Sequence, residues 1–495
     1  MVASGARKER LDRHPIGGLN GEAARGKVSA VAMRGASALS RVLRPRAPMW
    51  LGLTVAGVTF AFYAQGLERS YDYDSSESVG SFIATGSLLD PFRRQVGFNN
   101  HPLFSFLEHV VYSAGGHGAP ALRVLPITVA ALTVGVVAVW AAGRWGLLTG
   151  ATAGALLAAN PTFAVLSRSV RGYSLLTFAA VASTLLLARL LAAYSRRLMI
   201  GYAAVVALGI ATHLYALLFL VSQIAVVVAR RKADRAWLWA WAGALLVGLS
   251  VYAGLVARML TTATREHGVF RPWLPLDTAA ALLGTGSVAT AVLALLLLAG
   301  GAWLRRPEIL VGSAAIALVS GVVWLGAPRD LYPRFFVWLV PAVALLAAIP
   351  VRRSRFALLL AGVALAAMLR VDTRFWTTNP VPSAQAAVLV ERARTRGERV
   401  CVLPDIRGAL MAYTTAPTEA SNAGRLRACD IVLGAALDPR GLLSDARRTH
   451  PYRWSLPAET PYIVYSRRPR SDLWRLQAVA SAHARIAFPD RRPLS

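Results

Sequence analysis

Acid is scarce in this chain. Asp and Glu number 25 against 54 Lys and Arg over 495 residues, a formal net charge of +29. Only eleven acids fall between residues 48 and 370, in a stretch otherwise dominated by Leu, Ala, Val and Gly. The polar faces that recur along the helices of a water-soluble protein of this length are mostly missing, which excludes a soluble globular class. Cysteine is nearly absent as well. Cys401 and Cys429 have no metal-ligand spacing, and they read equally as a disulfide in an oxidising compartment or as two small core residues. No G-x-x-x-x-G-K-[ST] nucleotide loop and no internal repeat occurs. No aromatic-basic module accompanies the positive charge, so nucleic acid is not an expected partner.

What is present is apolar: 55% hydrophobic residues and a mean hydropathy of +0.48. Several runs approach the roughly 20 residues that a helix needs to cross a bilayer. Spans are expected at 49–67, 119–142, 147–166, 172–193, 198–212, 214–229, 236–257, 277–303, 308–327, 333–349 and 355–370, about eleven in all. The short links holding Arg144, Arg196–Arg197, Arg230–Arg231, Arg305–Arg306 and Arg352–Arg353 fall at every second turn of the chain, the pattern of cytoplasmic loops. Residues 1–47, with ten Lys and Arg before position 47 against three acids, read as a disordered basic cytoplasmic tail. The first loop, 68–118, is then outside, and residues 101–114 lie at the interface without crossing. Residues 371–495 change character, with short β-like runs at 400–403, 430–434 and 462–465 between helix-like pieces at 383–396 and 471–482. The expected fold is mainly α: a polytopic transmembrane bundle over 48–370 with a small extracytoplasmic α/β domain over 371–495.

Six of the eleven acids crowd into or just before the stretch from 71 to 108: Glu68, Asp72, Asp74, Glu77, Asp90 and Glu108. Carboxylates beside a bilayer are costly unless hydrated, paired or employed. Asp72, Asp74 and Glu77 suit a general base that takes the proton of an acceptor hydroxyl, and they suit equally a hydrated turn, since Asp-Ser-Ser is turn chemistry. No histidine stands among them at ligand spacing, which leaves a hard cation such as Mg²⁺ or Mn²⁺ open. In Asn99-Asn100-His101-Pro102, Asn100 and His101 can meet a sugar or phosphate or simply cap the following helix. Arg168 and Arg171 stand where two spans meet, just before Tyr173. Arg171 suits a phosphate at a helix start, while Arg168 reads better as snorkelling to headgroups. His213, in Thr-His-Leu-Tyr, and Arg334, in Tyr-Pro-Arg-Phe-Phe, sit at outer span ends. Arg334 is a second phosphate contact, and His213 an interfacial histidine or a ligand contact. The stretch 258–275, with Arg265, Glu266 and His267, could cover the site.

YDYDSSES, NNHPLF, SRSVRGYSLL, THLYALLFL and YPRFFVWLVPAVALL follow one another in this order. Together they resemble the GT-C superfamily of integral-membrane glycosyltransferases, most nearly the bacterial branch similar to protein O-mannosyltransferases and aminoarabinose transferases. The resemblance covers residues 48–350. The family pattern has adjacent Asp-Glu in the first outer loop, whereas here Asp74 and Glu77 are separated by two serines. The resemblance implies inverting transfer of a sugar from a polyprenyl-phosphate-linked donor to an extracytoplasmic glycan, lipid or protein hydroxyl. It implies Asp74 as base with Glu77 assisting, and Arg171 and Arg334 at the phosphate, with His101, Asn100, Tyr173 and His213 around it. No nucleotide cofactor is needed. High Arg and Ala with few Lys fit a GC-rich bacterial source, and so a multi-pass plasma-membrane protein with a cytoplasmic N-terminus.

Two other classes use the same features. A transporter or flippase of lipid-linked saccharides needs polar or broken helices at mid-membrane depth, which are few in this sequence. A scaffold binding cell-wall polymer needs no Asp74 at all.

Overall fold

The computed structural model describes residues 46–65, 67, 71–93, 100–253, 274–284, 292–297, 299–300, 313, 315–321, 333–377, 383–403, 406, 410, 418–419, 423–435, 442–456 and 462–468. The first helices are α1 (Ala47–Ala64), α2 (Tyr73–Ser78), α3 (Asp90–Arg93), α4 (Pro102–Ser113), α5 (Ala119–Trp145), α6 (Leu147–Ala158) and α7 (Pro161–Arg168). They are followed by α8 (Tyr173–Ala192), α9 (Arg196–Thr212), α10 (Ala216–Ala229), α11 (Arg235–Ser250), α12 (Leu274–Leu282), α13 (Val340–Ala348) and α14 (Arg355–Thr377). A π-turn (Val79–Ile83) continues α2, and 3-10 turns (Pro333–Leu339 and Ile349–Arg352) flank α13. Among the described residues, Ala47–Ala64, Ala119–Trp145, Tyr173–Ala192 and Arg334–Arg352 are long and apolar enough to cross a membrane, and α6 and α10 are shorter apolar helices. This is an integral membrane protein of mainly α architecture.

The expected spans at 119–142, 172–193, 198–212 and 214–229 coincide with α5, α8, α9 and α10 to within three residues at each end. The expected span at 147–166 does not form as one helix. It breaks at Asn160, whose side chain accepts the Phe163 N–H at 3.0 Å and whose Nδ2 donates to the Leu282 carbonyl at 3.0 Å. Pro161 has no N–H to continue the ladder, so the chain restarts as α7 behind an Asn cap. Residues 101–114 form the twelve-residue α4, too short to span the hydrocarbon core at 1.5 Å per residue. The expected span 277–303 is described only at 277–284, 292–297 and 299–300, and 308–327 only at 313 and 315–321; the rest of both lies outside the described residues.

Small residues set the packing. A Cβ on Gly52 of α1 would come within 2.9 Å of the Gly135 carbonyl of α5, and one on Gly135 within 2.9 Å of the Gly52 carbonyl. The two backbones therefore touch, the close approach by which membrane helices gain dispersion energy that lipid does not supply. Deeper in the bundle, four helices share one neutral polar network. Tyr202 of α9 donates to Gln223 Oε1 of α10 at 3.0 Å, and Gln223 Nε2 donates to Ser183 Oγ at 2.9 Å and Thr184 Oγ1 at 3.2 Å on α8. Trp241 Nε1 of α11 reaches the Tyr202 hydroxyl at 3.4 Å.

After α14 come α15 (Ser383–Thr395), β1 (Val400–Val402), β2 (Thr418–Glu419), α16 (Ala423–Leu426), β3 (Ile431–Ala435), α17 (Leu442–Thr449), β4 (Tyr452–Leu456) and β5 (Tyr462–Ser466). The strands form one mixed sheet of order β2-β1-β3-β5-β4, with β1 parallel to β2 and β3, and β5 antiparallel to β3 and β4. Cys401 and Cys429 form a disulfide that ties β1 to the chain entering β3, their Cα atoms 5.8 Å apart. The helix-like piece at 471–482 lies outside the described residues.

Candidate functional site

The acidic first loop folds into α2, and its local sequence explains how. Asp72 is the N-cap: Oδ1 accepts the Ser75 N–H at 2.7 Å and Oδ2 accepts the Ser75 hydroxyl at 3.0 Å. Asp74 and Glu77 then stand three residues apart, on one face of the helix. The two serines between them, which separate the acids in sequence, bring them to the same side. Ser78 ties its hydroxyl to the Asp74 carbonyl at 2.9 Å. The chain leading into α2 is held by Arg123 of α5, which donates to the Leu67 carbonyl at 2.6 Å and lies 5.2 Å from the Tyr71 ring centroid. The far side is held by His109 of α4, whose Nδ1 lies 2.7 Å from the carbonyl of Ile83 in the π-turn.

Asp74 meets both expected arginines. Arg334, from the 3-10 turn before α13, hydrogen-bonds Asp74 Oδ2, and Arg171, from the link between α7 and α8, lies 3.4 Å from Oδ1. Arg171 is nearly buried at 5% side-chain exposure, while Asp74 and Arg334 stay partly open at 25% and 30%. One side of the cluster is thus open and the other is walled by protein. Glu77, half-buried beside them, has its pKa raised by burial, with Asp74 adding to the rise and Arg171 and Arg334 opposing it. Two guanidiniums against one Asp74 carboxylate leave positive charge uncompensated whenever Glu77 is protonated, a field that favours an anion.

Behind the arginines stand the two expected histidines. Arg171 Nε donates to His101 Nε2 at 3.0 Å, so the imidazole proton belongs on Nδ1. Burial, reinforced by Arg171, His213 and Arg334, holds the His101 pKa well below its ordinary value. His213 Nδ1 accepts the Tyr215 N–H at 3.2 Å, and burial with the same two arginines brings its pKa down to about 3. Both rings are neutral near pH 7. They meet edge to face at 4.5 Å, and His101 meets Tyr173 in the same way at 4.9 Å. His101 therefore steers Arg171 through its acceptor nitrogen. His213 Nε2, the Tyr173 hydroxyl and the half-buried Asn100 Nδ2 have no hydrogen-bond partner, and buried polar atoms left so call for a ligand or water.

All nine expected residues have a place. Asp74, Glu77, Arg171, Arg334, His101, Tyr173 and His213 come together, Asn100 adjoins His101 in the chain, and Asp72 points its carboxylate back into its own helix. Arg168 does not snorkel. It is buried, with its Cζ 4.6 Å from the Tyr63 ring centroid and 5.3 Å from that of Phe62. Gly172 escaped sequence reasoning, although Arg-Gly-Tyr marks it. A Cβ there would lie 2.7 Å from Thr212 Cγ2, 2.9 Å from His101 Nδ1 and 3.1 Å from Phe104 Cβ, so only glycine lets Arg171 and His101 approach. Asn99, Tyr332 and the stretch 258–273 fall outside the described residues. Among the described residues no three His, Cys, Asp or Glu gather as a metal-ligand set, and both Asp74 oxygens face guanidinium groups.

The class of architecture is one already seen in solved structures, whose fold the bundle shares. The particular structures it is similar to are two of ArnT from Cupriavidus metallidurans. The apo form matches with a TM-score of 0.55, covering 86% of this chain and 98% of that one. The form bound to undecaprenyl phosphate matches with a TM-score of 0.54, covering 86% and 99%. Identity is 14% in both, so the likeness is one of fold. No protein-family model and no curated protein matches the sequence.

Proposed function

We propose that the protein is an inverting glycosyltransferase that moves a sugar from a polyprenyl-phosphate-linked donor to an extracytoplasmic hydroxyl on a cell-envelope glycan, lipid or protein. One observation carries this reading: Asp74 sits between Arg171 and Arg334, beside a wall of buried donors without partners. The donor's phosphate binds the two guanidiniums, which suit it as planar multi-donor groups, and its negative charge competes with Asp74 for them. Asp74 then accepts the proton of the acceptor hydroxyl as that oxygen bonds to the anomeric carbon from the face opposite the phosphate. The bond from that carbon to the phosphate oxygen breaks with its electron pair on the phosphate. That charge is stabilised by Arg171 and Arg334, so no acid is needed for the leaving group. Glu77, protonated more readily than an exposed carboxyl, assists by hydrogen bonding to the acceptor or sugar, and Asn100, Tyr173 and His213 supply further donors.

In this reading the arginines do the charge work that a divalent cation would otherwise supply. The bundle crosses the membrane about eleven times, with the basic tail in the cytoplasm of a bacterium and residues 371–495 outside. The Cys401–Cys429 disulfide supports that side, because such bonds persist in oxidising compartments. The fold shared with a protein that binds undecaprenyl phosphate supports the donor class.

The test is transfer from a radiolabelled polyprenyl-phosphate sugar by the full chain and by Asp74→Asn, each with and without EDTA. Loss of transfer on the order of 10³-fold in a variant that keeps its thermal unfolding profile is the expected result, with EDTA changing nothing. Undiminished transfer would remove Asp74 from the chemistry.

A further inference from the structure

The hydroxyl of Ser75 is fully buried and makes two contacts of opposite sense. It donates to Asp72 Oδ2 at 3.0 Å and accepts the N–H of Val170 at 2.9 Å. Ser75 is the residue after Asp74, and Val170 is the residue before Arg171. The contact therefore joins the two chain segments one position away from each member of the Asp74–Arg171 ion pair, across 95 residues of sequence. We propose that Ser75 is a positioning residue that sets the register of the base against the inner arginine, and that Asp72 is employed in fixing the direction of the Ser75 hydroxyl rather than in taking the substrate's proton. This rests on the glycosyl-transfer reading above.

The polarity of the contact carries the argument. A serine hydroxyl has one proton and two lone pairs. With its proton given to Asp72, it can face Val170 only as an acceptor, which is what a backbone N–H requires. Asp72 meanwhile accepts twice, from the Ser75 N–H and from the Ser75 hydroxyl, so a short helix, its cap and the inter-segment bond share one set of atoms. Asp74 and Arg171 lie 3.4 Å apart, longer than a tight charge-assisted pair. The ion pair therefore leaves the register to the neighbouring neutral bond. Asparagine at position 72 would still cap the helix, but an amide nitrogen in place of Oδ2 donates, and a hydroxyl that accepts from it loses the partner for its own proton.

Steady-state transfer, binding of undecaprenyl phosphate in nanodiscs and thermal unfolding are measured for the wild-type chain, Ser75→Ala, Asp72→Asn, Arg171→Ala and the double variant Ser75→Ala/Arg171→Ala. Ser75→Ala is expected to lower kcat roughly 10- to 100-fold, the range for a reacting group displaced by a fraction of an ångström to one ångström, with donor KM changing less than threefold. Asp72→Asn should fall in the same range. In the Arg171→Ala background the further loss from Ser75→Ala should shrink to less than threefold, because the pair whose register it sets is gone. An equal loss in both backgrounds would show a general structural role and overturn the proposal, as would unchanged kcat in Ser75→Ala. A thousandfold loss in Asp72→Asn beside a small one in Ser75→Ala would return Asp72 to the role of base. A wild-type chain that neither transfers sugar nor binds the lipid phosphate would sink the glycosyl-transfer reading itself, a result distinct from all of these.

Discussion

Two polar clusters sit in this bundle, and they differ in a way that separates construction from chemistry. The Tyr202–Gln223–Ser183–Thr184–Trp241 network is neutral, and every donor hydrogen of its central amide is used. The Asp74–Arg171–Arg334 cluster is charged, partly open, and bordered by His213 Nε2 and a Tyr173 hydroxyl without partners. In an apolar medium an unsatisfied polar atom is expensive. A cluster that is complete in itself holds helices together, and one that is incomplete holds something else.

The contrast can be broken at several points. Asp74→Asn, with its loss of about 10³-fold in transfer, is the largest expected effect, and it should leave unfolding almost unchanged. Next, Arg171→Ala and Arg334→Ala should each lower transfer by about 10²- to 10³-fold. Arg171→Ala should also raise the donor KM more than Arg334→Ala does, because the buried arginine is pre-set by His101. Equal effects from the two arginines would deny that burial matters to their roles. Gly172→Ala follows. Its methyl has no room against Thr212, His101 and Phe104, so thermal unfolding should report a loss of about 1–3 kcal/mol together with reduced transfer, and unaltered stability would mean that the three neighbours yield freely.

Smaller effects concern buried titratable groups. Glu108 on α4 is fully buried, both its oxygens lack partners, and burial raises its pKa to about 9. The unfolded chain releases this proton near pH 4.5 while the folded chain keeps it. The contribution to stability is therefore complete below pH 4.5 and declines as pH rises toward 9, by at most about 1.4 kcal/mol per unit. His213 works in the opposite window: its lowered pKa makes stability decline as pH falls from about 6.5 toward 3. Between pH 7 and 9 only the Glu108 slope operates of the two, and Glu108→Gln should flatten it; parallel unfolding curves for the variant and wild type would contradict that. Last, Gln223→Leu should cost on the order of 1 kcal/mol and leave transfer intact, whereas lost transfer would move the closed network into the functional machinery.

Much of the bundle could be read from local pattern. A run of about 20 apolar residues in lipid has to satisfy its backbone within itself, so α5 and α8 were visible as runs. Breaks were harder. The 147–166 run is mostly apolar, yet Asn160-Pro161 divides it, and the second bond made by Asn160 goes to Leu282, 122 residues away. The strands at 400–403 and 462–465 were visible as β-rich runs, while the pairing of Cys401 with Cys429 depended on β1 and β3 lying side by side. At the site, the candidate acids stood out because acid is scarce between 48 and 370, and the arginines because they stand at span ends. Ser75 and Gly172 did not, since serine and glycine are common and carry no charge signal.

The amino-acid order by itself settled the class of the molecule and the short list of its ionisable groups, because hydrophobic length and the cost of charge beside lipid act residue by residue. Residue chemistry alone left Asp72, Asp74 and Glu77 unranked, and Asp74 with Glu77 assisting was favoured only through the resemblance. Only the packed structure divided them, turning Asp72 into its own helix and setting Asp74 against Arg171 and Arg334, the second of them 260 positions away. Such convergence comes from the way helices cross one another, and no window of sequence contains it.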